Sequence, residues 1–313
     1  MNKIIIIITI LVTSILFAGC GEKTEEISNS KSNEIERVEK NNIEGNTSKT
    51  DEAGNIKTIE SHNIDNAKVE NFAEEYQLIV IDDFLMGGYK NGEWISLEYV
   101  EQHIKGNEIY KIYDFNKLLG TGTGEGVTIL DPILTKMIYI DAEFELPNDY
   151  IAINGSWNII PRQIKFQNDD SYFIELVNDI LFENDINSVS ATITQIYQVD
   201  LNGNGNEEIL IMASNIDELG ATYKKGTYSM VFINKEINGI SERLFLEGDF
   251  YAIDGEYSDG GPISYEIVGI ADLNNNNSME VIVKYKYFEG FGYNIYEIKD
   301  NQANVVLSNG IGA

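Results

Sequence analysis

After residue 72 the apolar positions fall in short runs separated by turn residues, and helical periodicity is rare, which predicts a chain built mainly of β-strands. Tyr89-Lys90-Asn91-Gly92-Glu93-Trp94 reads as a hairpin, because Asn-Gly supplies the positive φ angles of a type I′ turn. Asn238-Gly239, between Val231-Phe232-Ile233 and Leu244-Phe245-Leu246, reads as a wider one. One amphipathic helix is predicted over 170–184, with Asp169, Asp170 and Ser171 as N-cap candidates. There Tyr172, Phe173, Leu176, Val177, Ile180 and Leu181 recur on one face, the stripe that packs on a sheet. A shorter helix is expected from Leu97 to Lys105, capped by Ser96 and stopped by Gly106. The glycine-rich run Gly120 to Gly126 lacks both the spacing and the Lys-Ser/Thr of a phosphate cradle, so it reads as a flexible β connection.

The first 71 residues follow a different pattern. Met1-Asn2-Lys3 is followed by an almost unbroken apolar run to Phe17 and then Ala18-Gly19-Cys20: a charged start, an apolar centre and a small-residue cleavage site. The run is shorter than the roughly 20 apolar residues a spanning helix needs. Leu16-Phe17-Ala18-Gly19-Cys20 resembles the lipobox of bacterial lipoproteins, with Phe17 where an aliphatic residue is usual. That resemblance implies cleavage after residue 19 and a lipid on Cys20, anchoring the chain to the extracytoplasmic face of a membrane. Cys20 is the only cysteine, so a disulfide within the chain is ruled out. Residues 20–71 carry no aromatic side chain and few apolar ones, too few to offset the entropy of ordering, and read as a disordered polar tether that includes His62.

Charge narrows the partners. The chain holds 51 acidic and 22 basic side chains, a formal net charge of −29. Most of this lies after residue 71, where 39 acids face 14 bases, together with all 18 tyrosines and both tryptophans. Such a surface repels phosphate backbones and anionic headgroups, which excludes nucleic acid and favours cations and basic polymers.

The most informative pattern occurs twice. Asp200-Leu201-Asn202-Gly203-Asn204-Gly205-Asn206-Glu207-Glu208 and Asp272-Leu273-Asn274-Asn275-Asn276-Asn277-Ser278-Met279-Glu280 each place oxygen-bearing side chains at positions 1, 3, 5 and 7 and a carboxylate at 9, and each runs into an apolar strand. A tight loop turns alternate side chains inward, and a hard cation such as calcium takes about six to eight oxygens at about 2.3–2.6 Å. Position 6 needs a sharp turn, which Gly205 adopts freely and Asn277 tolerates. An EF-hand is excluded, since no helix follows either loop. Asn and Asp also favour turns by bonding their own backbone, so turns without metal remain the alternative.

The pattern resembles the calcium loops of FG-GAP/VCBS repeats, known from β-propeller blades, and the likeness covers roughly residues 190–313. It implies side-chain ligation by Asp200, Asn202, Asn204 and Glu208 and by Asp272, Asn274, Asn276 and Glu280, with Asn206 and Ser278 offering backbone carbonyls. The family favours aspartate at positions 3 and 5, and all four of those positions here are asparagine. Weak binding is therefore expected, at about 10⁻⁴–10⁻³ M. After each loop a strand, an insert, a second strand, a turn and a third strand follow, which suits two blade-like antiparallel sheets in an incomplete or irregular propeller. A separate N-terminal β module is expected over 72–150, and a C-terminal β region over 151–313.

Catalytic signals are sparse. His103 is the one histidine in the folded part, and HExxH and GxSxG motifs are missing from the chain. The expectation is a lipid-anchored extracellular binding or adaptor protein, not an enzyme, with cell-wall polymer or another surface protein as partner. The alternatives are a carboxylate-dependent glycosidase of the cell envelope and a solute-binding lipoprotein. Tyr285, Tyr287, Phe288, Phe291, Tyr293 and Tyr296 hint at a ligand surface, although tyrosine and phenylalanine belong in strands as core. Gly290 and Gly292 among them read as a turn.

Overall fold

A computed structural model describes residues 76–130, 135–168, 171–237, 240–256, 258 and 261–312. These belong to one compact unit, Asp65–Ala313. The predicted signal segment, the tether, Cys20, and Asp169 and Asp170 lie outside the described residues.

The fold is mainly β, as the sequence pattern predicts, and its sheets are antiparallel. The N-terminal sheet is made by β1 (Gln77–Ile81), β2 (Phe84–Lys90), β3 (Glu93–Ser96), β4 (Ile109–Tyr113), β5 (Leu118–Gly124), β6 (Thr128–Leu130), β7 (Thr135–Met137), β8 (Ile140–Ala142) and β9 (Ile151–Ile153). β9 lies between β1 and β4, so this sheet runs past residue 150. Between β3 and β4 come α1 (Leu97–Val100) and a single 3₁₀ turn ending at His103, a shorter helix than expected. Ser96 stands at its N-cap without a side-chain capping bond. The second sheet has the order β10 (Lys165–Phe166), β11 (Ile193–Val199), β12 (Glu208–Ser214), β14 (Thr227–Ile237) and β15 (Ile240–Tyr251), with α2 (Ser171–Glu183) between β10 and β11. β13 (Thr222–Tyr223) pairs with β16 (Gly255–Glu256) alone. The third sheet is a plain meander of β17 (Ser264–Ala271), β18 (Glu280–Tyr287), β19 (Gly290–Lys299) and β20 (Gln302–Gly312).

The two predicted repeats are thus two meanders, β11-β12-β14-β15 and β17-β18-β19-β20, and each acidic loop joins the first strand to the second. The register agrees as well. Val199 pairs with Glu208 in one and Ala271 with Glu280 in the other, so position 9 of each loop faces the residue just before position 1.

Packing follows from the alternation of side chains. In β18, Val281 and Val283 face the second sheet, where they meet Val199, Leu210, Met212, Val231 and Ile233. Ile282 faces the N-terminal sheet with Ile295 and Leu307, meeting Ile79, Ile81, Met86 and Ile153. The third sheet is therefore a middle layer, and its strands β17 and β18 are covered on both faces and apolar where they flank the acidic loop, whereas β20 is mostly exposed or half-buried. The outer face of the second sheet takes the stripe of α2, where Val177, Ile180 and Leu181 meet Ile196, Ile211, Met230 and Phe232. Stacked blade-like sheets of this kind make an irregular version of a propeller.

Several local readings change. The Gly120–Gly126 segment is not a loose connection, because Gly120 to Gly124 lie in β5. A Cβ on Gly120, Gly122 or Gly124 would stand 2.7, 2.6 and 2.6 Å from Phe144, Ile140 and Tyr110, so glycine at every second position makes room for the inner side chains of the sheet. Gly290 and Gly292 are likewise in a strand. They pair with Gly312 and Gly310, and the rings of Tyr287 and Tyr285 lie over these glycine pairs. β14 and β15 pair out to Ile237 and Ile240, nearer their ends than the wider hairpin expected, and residues 238–239 lie outside the described ones. Asn91-Gly92 turns with φ of 53° and 90°, as a type I′ hairpin requires, and Asp82-Asp83 and Asp300-Asn301 do the same with positive φ.

At the seam between the N-terminal and third sheets the fully buried Tyr293 directs its hydroxyl at Asp149 (2.6 Å) and Asp82 (2.9 Å), and Lys284 pairs with Asp149 at 2.5 Å. Replacing Tyr293 with Phe leaves both carboxylates short of a partner at the seam. Urea denaturation of Tyr293→Phe is expected to show a loss of about 1–3 kcal/mol, and an unchanged midpoint would count against this seam as a source of stability.

Candidate metal centre

The two acidic loops fold alike. In each, the position-1 aspartate accepts backbone N–H bonds from positions 5 and 6: Asn204 and Gly205 bond Asp200 at 3.1 and 2.9 Å, and Asn276 and Asn277 bond Asp272 at 3.1 and 3.0 Å. The position-3 amide oxygen accepts the position-5 N–H, at 3.0 Å on Asn202 and 3.1 Å on Asn274. The position-5 oxygen accepts the position-7 N–H at 2.7 Å in both, from Asn206 to Asn204 and from Ser278 to Asn276. The position-9 glutamate closes each ring. Glu208 accepts Leu201 N–H at 2.9 Å and the Asn202 amide N–H at 3.2 Å, and Glu280 accepts Leu273 N–H at 2.8 Å and the Asn274 amide N–H at 3.1 Å. All ten residues proposed as a donor set are thus gathered into two matching loops.

Backbone shape explains which residues stand between them. Positions 4 and 6 have positive φ in both copies, 72° and 88° at Gly203 and Gly205 and 59° and 67° at Asn275 and Asn277. Glycine and asparagine are the residues that accept this region at least cost. The requirement at position 4 was not anticipated from sequence, though its glycine-or-asparagine choice is the same signal as at position 6.

The loops differ in burial. Asp272, Asn274 and Glu280 are 4 %, 5 % and 1 % exposed, because β17 and β18 lie in the middle layer. Of the first loop's five donor residues only Glu208, at 8 %, is comparably buried, while Asn202 and Asn204 are exposed. The first loop lines a cleft of about 1110 Å³ together with Arg162, Gln163, Lys165, Lys235 and Asn301. Burial pushes the Glu280 carboxyl up to about 8, with the charges of Asp272 and Glu297 adding to the effect and the Leu273 N–H opposing it. Asp272 is raised as well, mainly by burial, against its backbone N–H bonds and Arg162. Glu208 is raised by burial and by Asp200, with Lys235 opposing.

Arg162 joins the two loops, and nothing in the sequence pattern singled it out. Its guanidinium donates to the Asp200 carbonyl (2.5 Å) and the Leu201 carbonyl (3.0 Å) of the first loop. It also donates to Asn277 Oδ1 (3.1 Å) and the Asn277 carbonyl (3.0 Å) of the second. Met279 N–H also bonds the Leu201 carbonyl at 2.7 Å. The strap carrying Arg162 is fixed upstream, where Trp157 Nε1 donates to the Asp272 carbonyl at 2.8 Å and Asp272 N–H donates to the Ile159 carbonyl at 2.7 Å. Arg162 is one of only two arginines after residue 72, which is the one trace of its role in the sequence.

As donor sets the loops offer two carboxylates each and otherwise amide oxygens. No group of three or more His, Cys, Asp or Glu side chains gathers among the described residues. Asp272 and Glu280 form a buried acidic pair, and among the described residues no lysine is hydrogen-bonded to either. His103, the histidine weighed as a base, packs its ring at a tilt against Tyr99 and Tyr76, at 4.8 and 5.4 Å.

Two outcomes follow from this geometry. Removing the guanidinium in Arg162→Met is expected to cost about 2 kcal/mol or more in urea denaturation, since four hydrogen bonds between two loops are lost together. In chelator, stability is expected to fall by a few kcal/mol between pH 5 and pH 8. Over that span the folded state keeps a proton on Glu280 that the unfolded chain, titrating near 4.5, has released, so the native state is disfavoured as pH rises. Glu280→Gln is expected to flatten that slope, and an equally steep slope in the variant would assign it elsewhere. In comparisons with known proteins, no family model, no curated protein and no solved structure matches the chain.

Proposed function

We propose that the chain is a lipid-anchored extracytoplasmic binding or adaptor protein whose β-sheet domain is stabilised by calcium held weakly in two loops. The carrying observation is the pair of loops, 72 residues apart, that repeat one hydrogen-bond network with their carboxylates turned inward. The buried loop at Asp272 acts as the structural site. The loop at Asp200 faces the polar cleft, and an ion there exchanges with solvent and can meet a ligand. Anchoring through Cys20 rests on the sequence of the first 20 residues.

The alternatives fit less well. A solute-binding lipoprotein needs strands alternating with helices in two lobes, and among the described residues there are three main sheets and one helix longer than a single turn. A carboxylate-dependent hydrolase needs two carboxyl groups facing a substrate. Asp82 and Asp149 do converge on one hydroxyl, but they are held at a seam by Tyr293 and Lys284.

Thermal unfolding of the chain tests the reading. At about 10 mM calcium, binding in the expected range adds about 1.4–2.7 kcal/mol for each occupied loop, a rise of several degrees in Tm that magnesium does not reproduce. Asp272→Ala is expected to remove more of the rise than Asp200→Ala, because its loop is the buried one. An equal response to calcium and magnesium, or none, would overturn the calcium assignment.

A further inference from the structure

We propose that the shallow groove beside the β2-β3 hairpin is the seat of this chain's own residues 70–75, with Phe72 as their anchor. The inference depends neither on the two acidic loops nor on a lipid at Cys20.

The groove holds about 440 Å³ and lies between the hairpin and α1. Tyr76, Trp94 and Tyr99 give it aromatic walls, and Lys90 and Glu93 bring one charge of each sign. Tyr99 is 50 % exposed, and Trp94 meets Tyr89 edge to face at 5.1 Å, which steadies the indole. The Lys90 ammonium lies 4.3 Å over the Tyr76 ring.

The place where the chain enters singles out the occupant. Gln77 pairs with Tyr89, and one step back in that antiparallel register Tyr76 stands opposite Lys90. There the partner strand ends, at the Asn91-Gly92 turn, so whatever precedes Tyr76 starts from the groove's own wall. Phe72 is four residues ahead of Tyr76, a reach of at most roughly 14 Å, and is the single aromatic residue between Cys20 and Tyr76. A phenyl ring gains most beside the faces and edges of other rings. Glu70, Glu74 and Glu75 flank it without a base, and Lys90 is the base they meet at the groove. After residue 71 the chain holds 39 acids against 14 bases, so most of its surface repels such a segment. The short tie also keeps Phe72 at an effective concentration on the order of millimolar, against which a separate partner must compete. Seated there, the segment fixes the direction in which the chain ahead of it leaves the domain and covers the aromatic walls.

Hydrogen–deuterium exchange on the full chain tests the proposal. Amides of residues 70–75 are expected to exchange at least about tenfold more slowly than in a synthetic peptide of the same sequence. Phe72→Ser is expected to abolish that slowing, Phe72→Trp to keep it, and Tyr99→Ser to weaken it from the groove side. Phe72 precedes β1, so its variants carry the test if Tyr99→Ser fails to fold. Exchange at the peptide's rate in the natural chain, or slowing that survives Phe72→Ser, would overturn the proposal. Slowing that grows with protein concentration would overturn it too, by seating a second copy of the chain in the groove.

Discussion

Strands β17 and β18 of the third sheet are buried on both faces where they flank the acidic loop, and much of the rest of the structure is a consequence of that. A sheet with one face in water can place polar residues at alternate positions, whereas a middle layer must be apolar on both sides wherever its neighbours cover it. Hence β17 ends in Ile267-Val268-Gly269-Ile270-Ala271 and β18 begins with Val281-Ile282-Val283, all of them buried. The loop that joins these strands inherits their burial. The equivalent loop of the second sheet leaves a layer that opens on a cleft, so two loops of one backbone shape meet different solvent. The high pKa of Glu280 follows from its position in the stack, since its partners match those of Glu208.

A strongly acidic chain also has to hold such layers together with few bases. The described seams solve this with tyrosine. Tyr293 bonds Asp82 and Asp149, Tyr150 bonds Asp83 at 2.5 Å, and Tyr265 and Tyr296 of the third sheet bond Asp249 and Glu247 of the second. A phenol hydroxyl buries its ring in the apolar layer and presents a neutral donor to a carboxylate at the rim, so it bridges two sheets without an ion pair and its desolvation cost. Two bases add to this: Lys284 pairs with Asp149 beside Tyr293, and Arg162 joins the acidic loops. It is directed at carbonyls and at Asn277, and what it joins is a pair of loops and not a pair of side chains.

How far this was legible in the sequence depends on the range of each interaction. Strand pattern, the α2 stripe, the Asn91-Gly92 hairpin and the two acidic loops are set by residues within about ten positions of each other, and local rules found them. Gly120, Gly122 and Gly124 were read as a loop because glycine signals turns. What they answer to is Phe144, Ile140 and Tyr110 pressing on the sheet from elsewhere in the chain. The Arg162 clamp spans 38 to 115 residues, and no local pattern encodes a single arginine whose partners are backbone carbonyls. Conversely, the clearest statement in the sequence, the lipobox-like end at Cys20, falls outside the described residues.

Asparagine at positions 3 and 5 shapes both loops through its side-chain oxygen. Aspartate at positions 3 and 5 of both loops would add four negative charges to a folded region that already holds 39 acids and 14 bases, and at Asn274 would set a buried carboxylate beside Glu280. Asparagine keeps every backbone bond that shapes the loop, because those bonds use the amide oxygen, and turns the remaining atom from an acceptor into a donor. The loop then closes on its own glutamate. The turn, the positive φ at positions 4 and 6 and the register of the following strand are thereby backed by hydrogen bonds within the chain.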